Sequence, residues 1–117
     1  MEKILRQTLL YDFYGELLTS HQRKVYEDAV FGDLSLSEVA EMQGISRQGV
    51  HDLIKRCDRA LEEYEEKLHL VRKFSETRRQ LEAIRALAGG AEPCTRAELQ
   101  TRLERIAVLC DGVLASL

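Results

Sequence analysis

Apolar residues recur at spacings of three and four along most of the chain, which is the pattern of amphipathic helices. The pattern predicts helices over about residues 3–18, 20–31 and 36–43, and a longer one that begins after Ser46. Toward the end, apolar side chains repeat at spacings of 4-3-4-3-4, which is typical of a helix packed lengthwise against another. The members of this last stripe are Leu99, Leu103, Ile106, Cys110, Val113 and Leu117.

Capping residues mark where the helices begin. Three segments place Ser or Thr three residues before Glu or Gln, the pattern of a capping box, in which the two side chains accept hydrogen bonds from each other's backbone amides. They are Thr19–Gln22, Ser35–Glu38 and Thr95–Glu98, and Ser46 is a further N-cap candidate. These positions predict four helix starts.

Glycines and a change of phase mark where the helices end. The second helix should end at Gly32. The apolar stripe of the fourth helix changes phase beyond Val71, which predicts a bend or break within residues 69–75. The next helix should stop at Gly89, and the loop over residues 89–94 should then reverse the chain.

The composition supports a helical protein. The 117 residues include seven Gly and one Pro, aromatic residues make up 6%, and Trp is absent, which disfavours a sandwich with many turns. A chain of this size can bury a core of its own without disulfides or metals. The predicted fold class is therefore all-α.

The segment from Leu36 to Arg56 has the order of a helix-turn-helix, with a small residue at the helix crossing, a Gly at the turn and apolar packing faces. Ala40 fits the crossing, and Gly44 tolerates a positive φ at the turn. The apolar set is Leu36, Val39, Ile45, Val50 and Leu53. Gly49 costs the second helix about 1 kcal/mol relative to Ala, so either its backbone is closely approached or the helix is weaker there.

The outer side of the second helix carries residue types that read DNA. In DNA-binding helix-turn-helix proteins the first residues of this helix enter the major groove. The candidates for base contact are Ser46, Arg47, Gln48 and His51. Arg can pair with guanine, and Gln with adenine, through two hydrogen bonds each. The candidates for phosphate contact are Lys55, Arg56 and Arg59, with Arg23 and Lys24 of the preceding helix.

The charge distribution predicts a local contact with nucleic acid rather than a general one. The net charge is −3, and residues 1–68 hold nine basic and fourteen acidic side chains. Binding by bulk charge requires many basic residues that displace counterions from phosphates. Residues 47–59 form a modest positive patch, within which Asp52 would lie close to a phosphate or base edge. The acidic run over residues 62–66 is predicted to be a solvated helix face.

Long stretches of the chain resemble known bacterial sequences. Residues 18–25, followed by 36–53 and then by Arg56, Ala60 and Leu61, resemble region four of sigma factors, which reads a promoter element. A closer resemblance is to the YlxM family. It is carried by LLYDFYGELLT, DLSLSEVAE, GISRQGV, IKR and LEEYEEKL, at residues 9–19, 33–41, 44–50, 54–56 and 61–68.

The resemblance implies a sigma-like helix-turn-helix protein over about residues 3–70. The YlxM family has genes that tend to lie beside those of signal recognition particle components. Those components are therefore the implied partners, and regulation of their pathway is the implied role. By position in the sigma-like pattern, DNA reading would fall on Arg47, Gln48, His51 and Lys55. Residues 70–117 carry no motif of the family.

The sequence shows no constellation for catalysis or metal binding. The three histidines lie on different predicted helices, and no nucleophile stands beside a base. Cys57, Cys94 and Cys110 are odd in number and widely spaced, so we predict three buried thiols rather than disulfides or a zinc site. We expect no enzyme activity, metal or cofactor. Because no long apolar run or leader pattern is present, we also expect no membrane insertion and a cytoplasmic location.

Two functional hypotheses follow. In the first, a helix-turn-helix domain at residues 1–68 binds DNA as a regulator, and residues 69–117 form a long helix and a C-terminal helical hairpin. In the second, the helix-turn-helix is a scaffold, and the hairpin is an adaptor that binds protein or structured RNA. Ala107, Leu109 and Leu114 widen the last apolar stripe, which either packs within the monomer or forms a homodimer interface.

Overall fold

A computed structural model describes residues 2–90 and 93–117 of the chain. Over these residues it contains helices and no strand, which confirms the all-α prediction. The α-helices are α1 (Glu2–Tyr14), α2 (Ser20–Tyr26), α3 (Leu36–Gln43), α4 (Arg47–Leu68), α5 (Leu70–Ala88) and α6 (Arg96–Ala115). A 3-10 turn (Gly15–Leu17) follows α1, and a π-helical turn (Glu27–Phe31) follows α2.

The first two predicted helices change their winding before they end. The α-winding of α1 stops at Tyr14, and Gly15 begins the 3-10 turn. A Cβ at Gly15 would lie 2.9 Å from the ring of Tyr11, so a larger residue would not fit there without a shift. The second helix changes to π-winding, in which the Gly32 N–H donates to the Glu27 carbonyl five residues back. The predicted end at Gly32 is therefore confirmed, although the last turn is wider than an α-helix.

Two compact units divide the chain between Val71 and Arg72. The first unit holds α1 to α4 and the first two residues of α5, and the second holds the rest of α5 and α6. The assignment of residues 1–68 to a helix-turn-helix domain and of 69–117 to a partner-binding hairpin stays a prediction.

The first unit contains two clusters of buried side chains. One consists of Leu10, Tyr14, Leu18, Tyr26, Cys57, Leu61 and Val71. The other consists of Val25, Val39, Ala40 and Val50, with Leu36, Ile45 and Leu53 packed against it. The second cluster thus contains or contacts every member of the apolar set predicted for the helix-turn-helix. Leu53 and Ile54 of α4 pack against both clusters, so α4 joins them.

The turn between α3 and α4 has the predicted chemistry. A capping box at Ser35 and Glu38 begins α3, and Gly44 ends it in the left-handed conformation with φ 67°. The Ser46 Oγ then accepts a hydrogen bond from the Gly49 N–H at 2.9 Å and caps α4. A Cβ at Gly49 would lie 3.1 Å from that Oγ. Of the two explanations for Gly49, the structure shows the close approach.

A buried polar network holds the break between α4 and α5. His69 is left-handed (φ 56°) and ends α4 within the predicted range. The Oε1 of Glu65 accepts hydrogen bonds from the Tyr14 hydroxyl (2.6 Å) and the Val71 N–H (2.9 Å). The Leu70 N–H donates to the Tyr14 hydroxyl at 3.0 Å. The prediction of a solvated acidic face is wrong for Glu65, which is 6% exposed, because it satisfies a free amide at the start of α5.

The second unit covers the predicted last stripe only in part. A capping box at Thr95 and Glu98 begins α6 as predicted, but no residue along α6 is buried. The middle of the stripe is half-buried. The exposed members are Leu99, Leu103 and Leu117. Helix α5 ends at Ala88. The predicted chain reversal over residues 89–94 includes residues 91 and 92, which lie outside the described residues.

The three cysteines differ in burial. Cys57 is fully buried in the first cluster, and burial raises the pKa of its thiol to about 11. Cys94 and Cys110 are half-buried, so the prediction of three buried thiols is wrong for these two. Cys94 precedes the cap of α6 outside any helix, and Cys110 lies on α6, which buries none of its residues.

Replacement of Glu65 by Ala should destabilise the first unit. The substitution removes an acceptor from the Tyr14 hydroxyl and the Val71 N–H, and a buried donor left without a partner costs about 1–3 kcal/mol. Urea denaturation measures the free energy of unfolding. Glu63→Ala, on the exposed side of the same helix, is the matched control. Equal unfolding midpoints for the two variants would contradict the structural role of Glu65.

Cys57 should be protected from thiol reagents in the folded protein. A thiol with a pKa of about 11 is almost entirely protonated at pH 8, and the thiolate is the reactive form. With Ellman's reagent at pH 8 we expect Cys94 and Cys110 to react first and Cys57 to react after unfolding. A Cys57→Ser variant identifies the slow thiol. Three equal rates in the native protein would contradict the burial of Cys57.

Candidate nucleic-acid interface

The first turns of α4 present one polar face to solvent. Arg47, Gln48 and His51 are all exposed, and we refer to these three residues as the recognition face. The opposite side of the same turns packs into the core, where Val50 is fully buried. The recognition face therefore follows from the amphipathic pattern of α4, because the apolar stripe that closes both clusters fixes which residues point outward.

A shallow depression of the protein surface lies at the recognition face. Arg47, Gln48 and His51, together with Leu36 of α3, line a shallow depression of about 460 Å³. Leu36 is half-buried and supplies the apolar wall. The depression thus combines side-chain hydrogen-bonding groups with an apolar surface, which are the two kinds of contact that base edges in the major groove accept.

Ser46 lies at the start of the recognition face but has a structural partner. Its Oγ accepts the hydrogen bond from Gly49 that caps α4. The hydroxyl proton is not needed for this bond, since a hydroxyl can donate and accept together. Ser46 therefore orients the helix start, and its side chain is exposed.

Asp52 modifies the recognition face from one side. The Gln48 Nε2 donates a hydrogen bond to the Asp52 Oδ1 at 3.0 Å, one helical turn away. The His51 Nδ1 lies 4.0 Å from the same oxygen. Sequence reasoning placed Asp52 near the duplex but missed its pairing with Gln48. The i,i+4 spacing on a predicted helix was the signal that could have found it.

Three basic residues continue along α4 beyond the recognition face. Lys55, Arg56 and Arg59 are exposed, and with Arg47 they extend over roughly 18 Å of the helix at 1.5 Å per residue. Arg56 is turned toward α2, where it lines a cleft with His21 and Gln22.

The two candidates for phosphate contact on α2 are either paired or half-buried. Lys24 is exposed but forms an ion pair with Asp28 at 3.3 Å. Arg23 is half-buried, and its interaction with the Tyr11 hydroxyl raises the pKa of its guanidinium. Its Nε is enclosed and has no hydrogen-bond partner among the described residues. The structure thus separates Arg23 and Lys24 from the more open basic groups of α4.

Several acidic side chains of the first unit are engaged away from the recognition face. Glu62 pairs with Arg6 at 2.8 Å, and this hydrogen bond lowers the pKa of the Glu62 carboxyl. Asp58 accepts hydrogen bonds from the Tyr26 hydroxyl (2.6 Å) and from the Gln7 amide (3.1 Å). Burial and the Asp58 contact raise the pKa of Tyr26, so this hydroxyl stays a donor.

Neither a metal cluster nor a membrane span stands out in the part of the chain that the structure describes. No group of three or more His, Cys, Asp or Glu side chains there is placed to hold a metal ion. No helix there is long and apolar enough to cross a bilayer.

Comparisons with known proteins show to which family the chain belongs. The family model described as "Putative helix-turn-helix protein, YlxM / p13 like" matches residues 1–96. UPF0122 protein TTE1463 of Caldanaerobacter subterraneus is 50% identical over 84 residues, which cover 72% of each chain. UPF0122 protein YlxM of Bacillus subtilis is 44% identical over 92 residues, which cover 79% of this chain and 84% of the relative. The chain belongs to this YlxM-like family of helix-turn-helix proteins.

Proposed function

We propose that the protein is a regulatory DNA-binding protein that inserts the start of α4 into the major groove. The observation that carries this proposal is the exposure of Arg47, Gln48 and His51 on a helix end that two buried clusters hold in place. In this role the recognition face selects the sequence, and the basic side chains further along α4 hold phosphates.

The family resemblance extends the proposal to a pathway. Genes of the YlxM family tend to lie beside those of signal recognition particle components, so we propose that the regulated genes, or the partners, belong to that pathway. This part of the proposal rests on the resemblance alone.

Substitutions on the recognition face and at the phosphate candidates should impair DNA binding in different ways. Arg47→Ala should reduce discrimination at one base position by about 1–3 kcal/mol, because it removes a paired contact with a base edge. Lys55→Ala should weaken binding to all sequences alike and reduce the slope of log affinity against log salt concentration by about one. The measurement is a titration of genomic DNA fragments, including the region upstream of the protein's own gene, at two salt concentrations.

Lys67→Ala is the matched control for these titrations, since Lys67 is an exposed basic residue in the last turn of α4. It should leave both sequence preference and salt dependence nearly unchanged. If the wild-type protein selects no fragment and Arg47→Ala changes nothing, the helix-turn-helix is a scaffold and the DNA-binding proposal is wrong.

A second candidate function is an adaptor that binds through the second unit. The observation that favours it is an exposed apolar surface on α5, where Phe74 is 44% and Leu81 is 52% exposed. These two side chains line a depression of about 370 Å³ with Arg78 and Arg85. On α6, Leu103 and the residues around it add further exposed apolar side chains. In this alternative the partner is a protein or structured RNA.

A homodimer is the form that we expect to cover the exposed part of α6. Wild-type protein at tens of micromolar should sediment as a dimer, and Leu103→Glu should sediment as a monomer because it places a charge in the interface. Glu104→Gln, one position along the same helix, is the control and should remain dimeric. A wild-type monomer at these concentrations would exclude the interface.

A further inference from the structure

The hydrogen bond between Gln48 and Asp52 fixes the orientation of an amide that faces the proposed DNA site. The Nε2 of Gln48 and the Oδ1 of Asp52 are 3.0 Å apart, and both side chains are exposed. An ionised carboxylate can accept hydrogen bonds but cannot donate them. The end of the amide that faces Asp52 must therefore be the NH₂ group, which fixes the position of the Gln48 oxygen as well.

His51 does not compete with Gln48 for the Asp52 carboxylate. The His51 Nδ1 is 4.0 Å from the same carboxylate oxygen, which is too long for a hydrogen bond. Gln48 and Asp52 are four residues apart on one helix, so their side chains can meet without any change of backbone. The bond therefore favours one orientation of the Gln48 amide before DNA binds, by about 0.2–0.5 kcal/mol.

The fixed amide offers a restricted set of hydrogen-bonding groups. With one N–H bound to Asp52, Gln48 retains one N–H donor and its Oε1 acceptor. Adenine presents the complement in the major groove, an acceptor at N7 and a donor at N6, whereas guanine presents two acceptors. To satisfy guanine, Gln48 would have to turn both N–H groups toward the base and give up its bond to Asp52.

We propose that Asp52 is a positioning residue that makes Gln48 select adenine and reject guanine. The inference rests on the proposed DNA-binding function and deepens it. Asp52 also places a negative charge near the duplex, which lowers affinity for every sequence alike. Base selectivity and overall affinity are therefore affected in opposite directions by one carboxylate.

Three variants separate positioning from charge. Asp52→Ala frees the amide, so preference between adenine and guanine should relax. Asp52→Asn keeps a carbonyl oxygen that can accept the Gln48 N–H but removes the negative charge, so the preference for adenine should be retained while overall affinity rises. Glu63→Gln removes one negative charge from an exposed position of the same helix and should change affinity without changing base preference.

The experiment is selection of binding sites from a randomised DNA duplex library at fixed salt. Gln48→Ala first identifies the base position that Gln48 reads. At that position we expect wild-type protein and Asp52→Asn to prefer adenine over guanine by about tenfold or more, and Asp52→Ala to reduce this ratio. Circular dichroism should show equal helix content in all variants.

Two outcomes would overturn the inference in distinguishable ways. If wild-type protein selects a sequence but Asp52→Ala keeps the same base preference, Asp52 does not position Gln48, while DNA binding stands. If wild-type protein selects no sequence, the proposed function fails and the inference fails with it.

Discussion

Helix α4 is the element on which both the core and the candidate site depend. Its apolar stripe closes two clusters at once, because Val50 lies in one, Cys57 and Leu61 lie in the other, and Leu53 packs against both. Burial on one side of a helix determines exposure on the other. The same packing that stabilises the first unit therefore sets the recognition face at the beginning of α4.

The far end of α4 is defined by polar rather than apolar contacts. A helix that ends inside a protein leaves carbonyls and amides that need partners. Here Glu65 and the Tyr14 hydroxyl accept the N–H groups of Val71 and Leu70, so the first two amides of α5 are satisfied. The network fixes both the length of α4 and the point at which α5 starts, and it connects that point to α1.

Charge is distributed in a way that reconciles a net charge of −3 with a local basic surface. Glu62 is paired with Arg6, and Asp58 is bound by two donors, so part of the acidic excess is engaged within the fold. Asp52 is different because it contacts a member of the recognition face. In the proposed role, its charge would lower non-specific attraction to phosphates and leave selection to a few base contacts.

The sequence predicted those features that depend on local chemistry. Ser35, Gly44, Ser46 and Thr95 act as predicted because caps and positive-φ turns are determined by a few neighbouring residues. The π-helical turn was missed because apolar spacing does not distinguish it from α-winding.

The spacing of apolar residues could not predict features that depend on contacts between distant parts of the chain. Glu65 reads as part of a solvated acidic run, and its burial depends on Tyr14, 51 residues away. Cys94 and Cys110 read as core thiols, but their burial depends on how much of the hairpin is covered. The placement of the base-contact candidates on one exposed helix face was predictable, whereas the effect of Asp52 on Gln48 required side-chain geometry.

The most direct test of the central claim is a backbone NMR titration of the whole protein with a duplex that it selects. If α4 is the reading element, the largest chemical-shift changes will occur at the amides of Arg47, Gln48 and His51, while those of α6 remain unchanged. If the changes are confined to α5 and α6 and the recognition face is unaffected, the helix-turn-helix is a scaffold and the claim is contradicted.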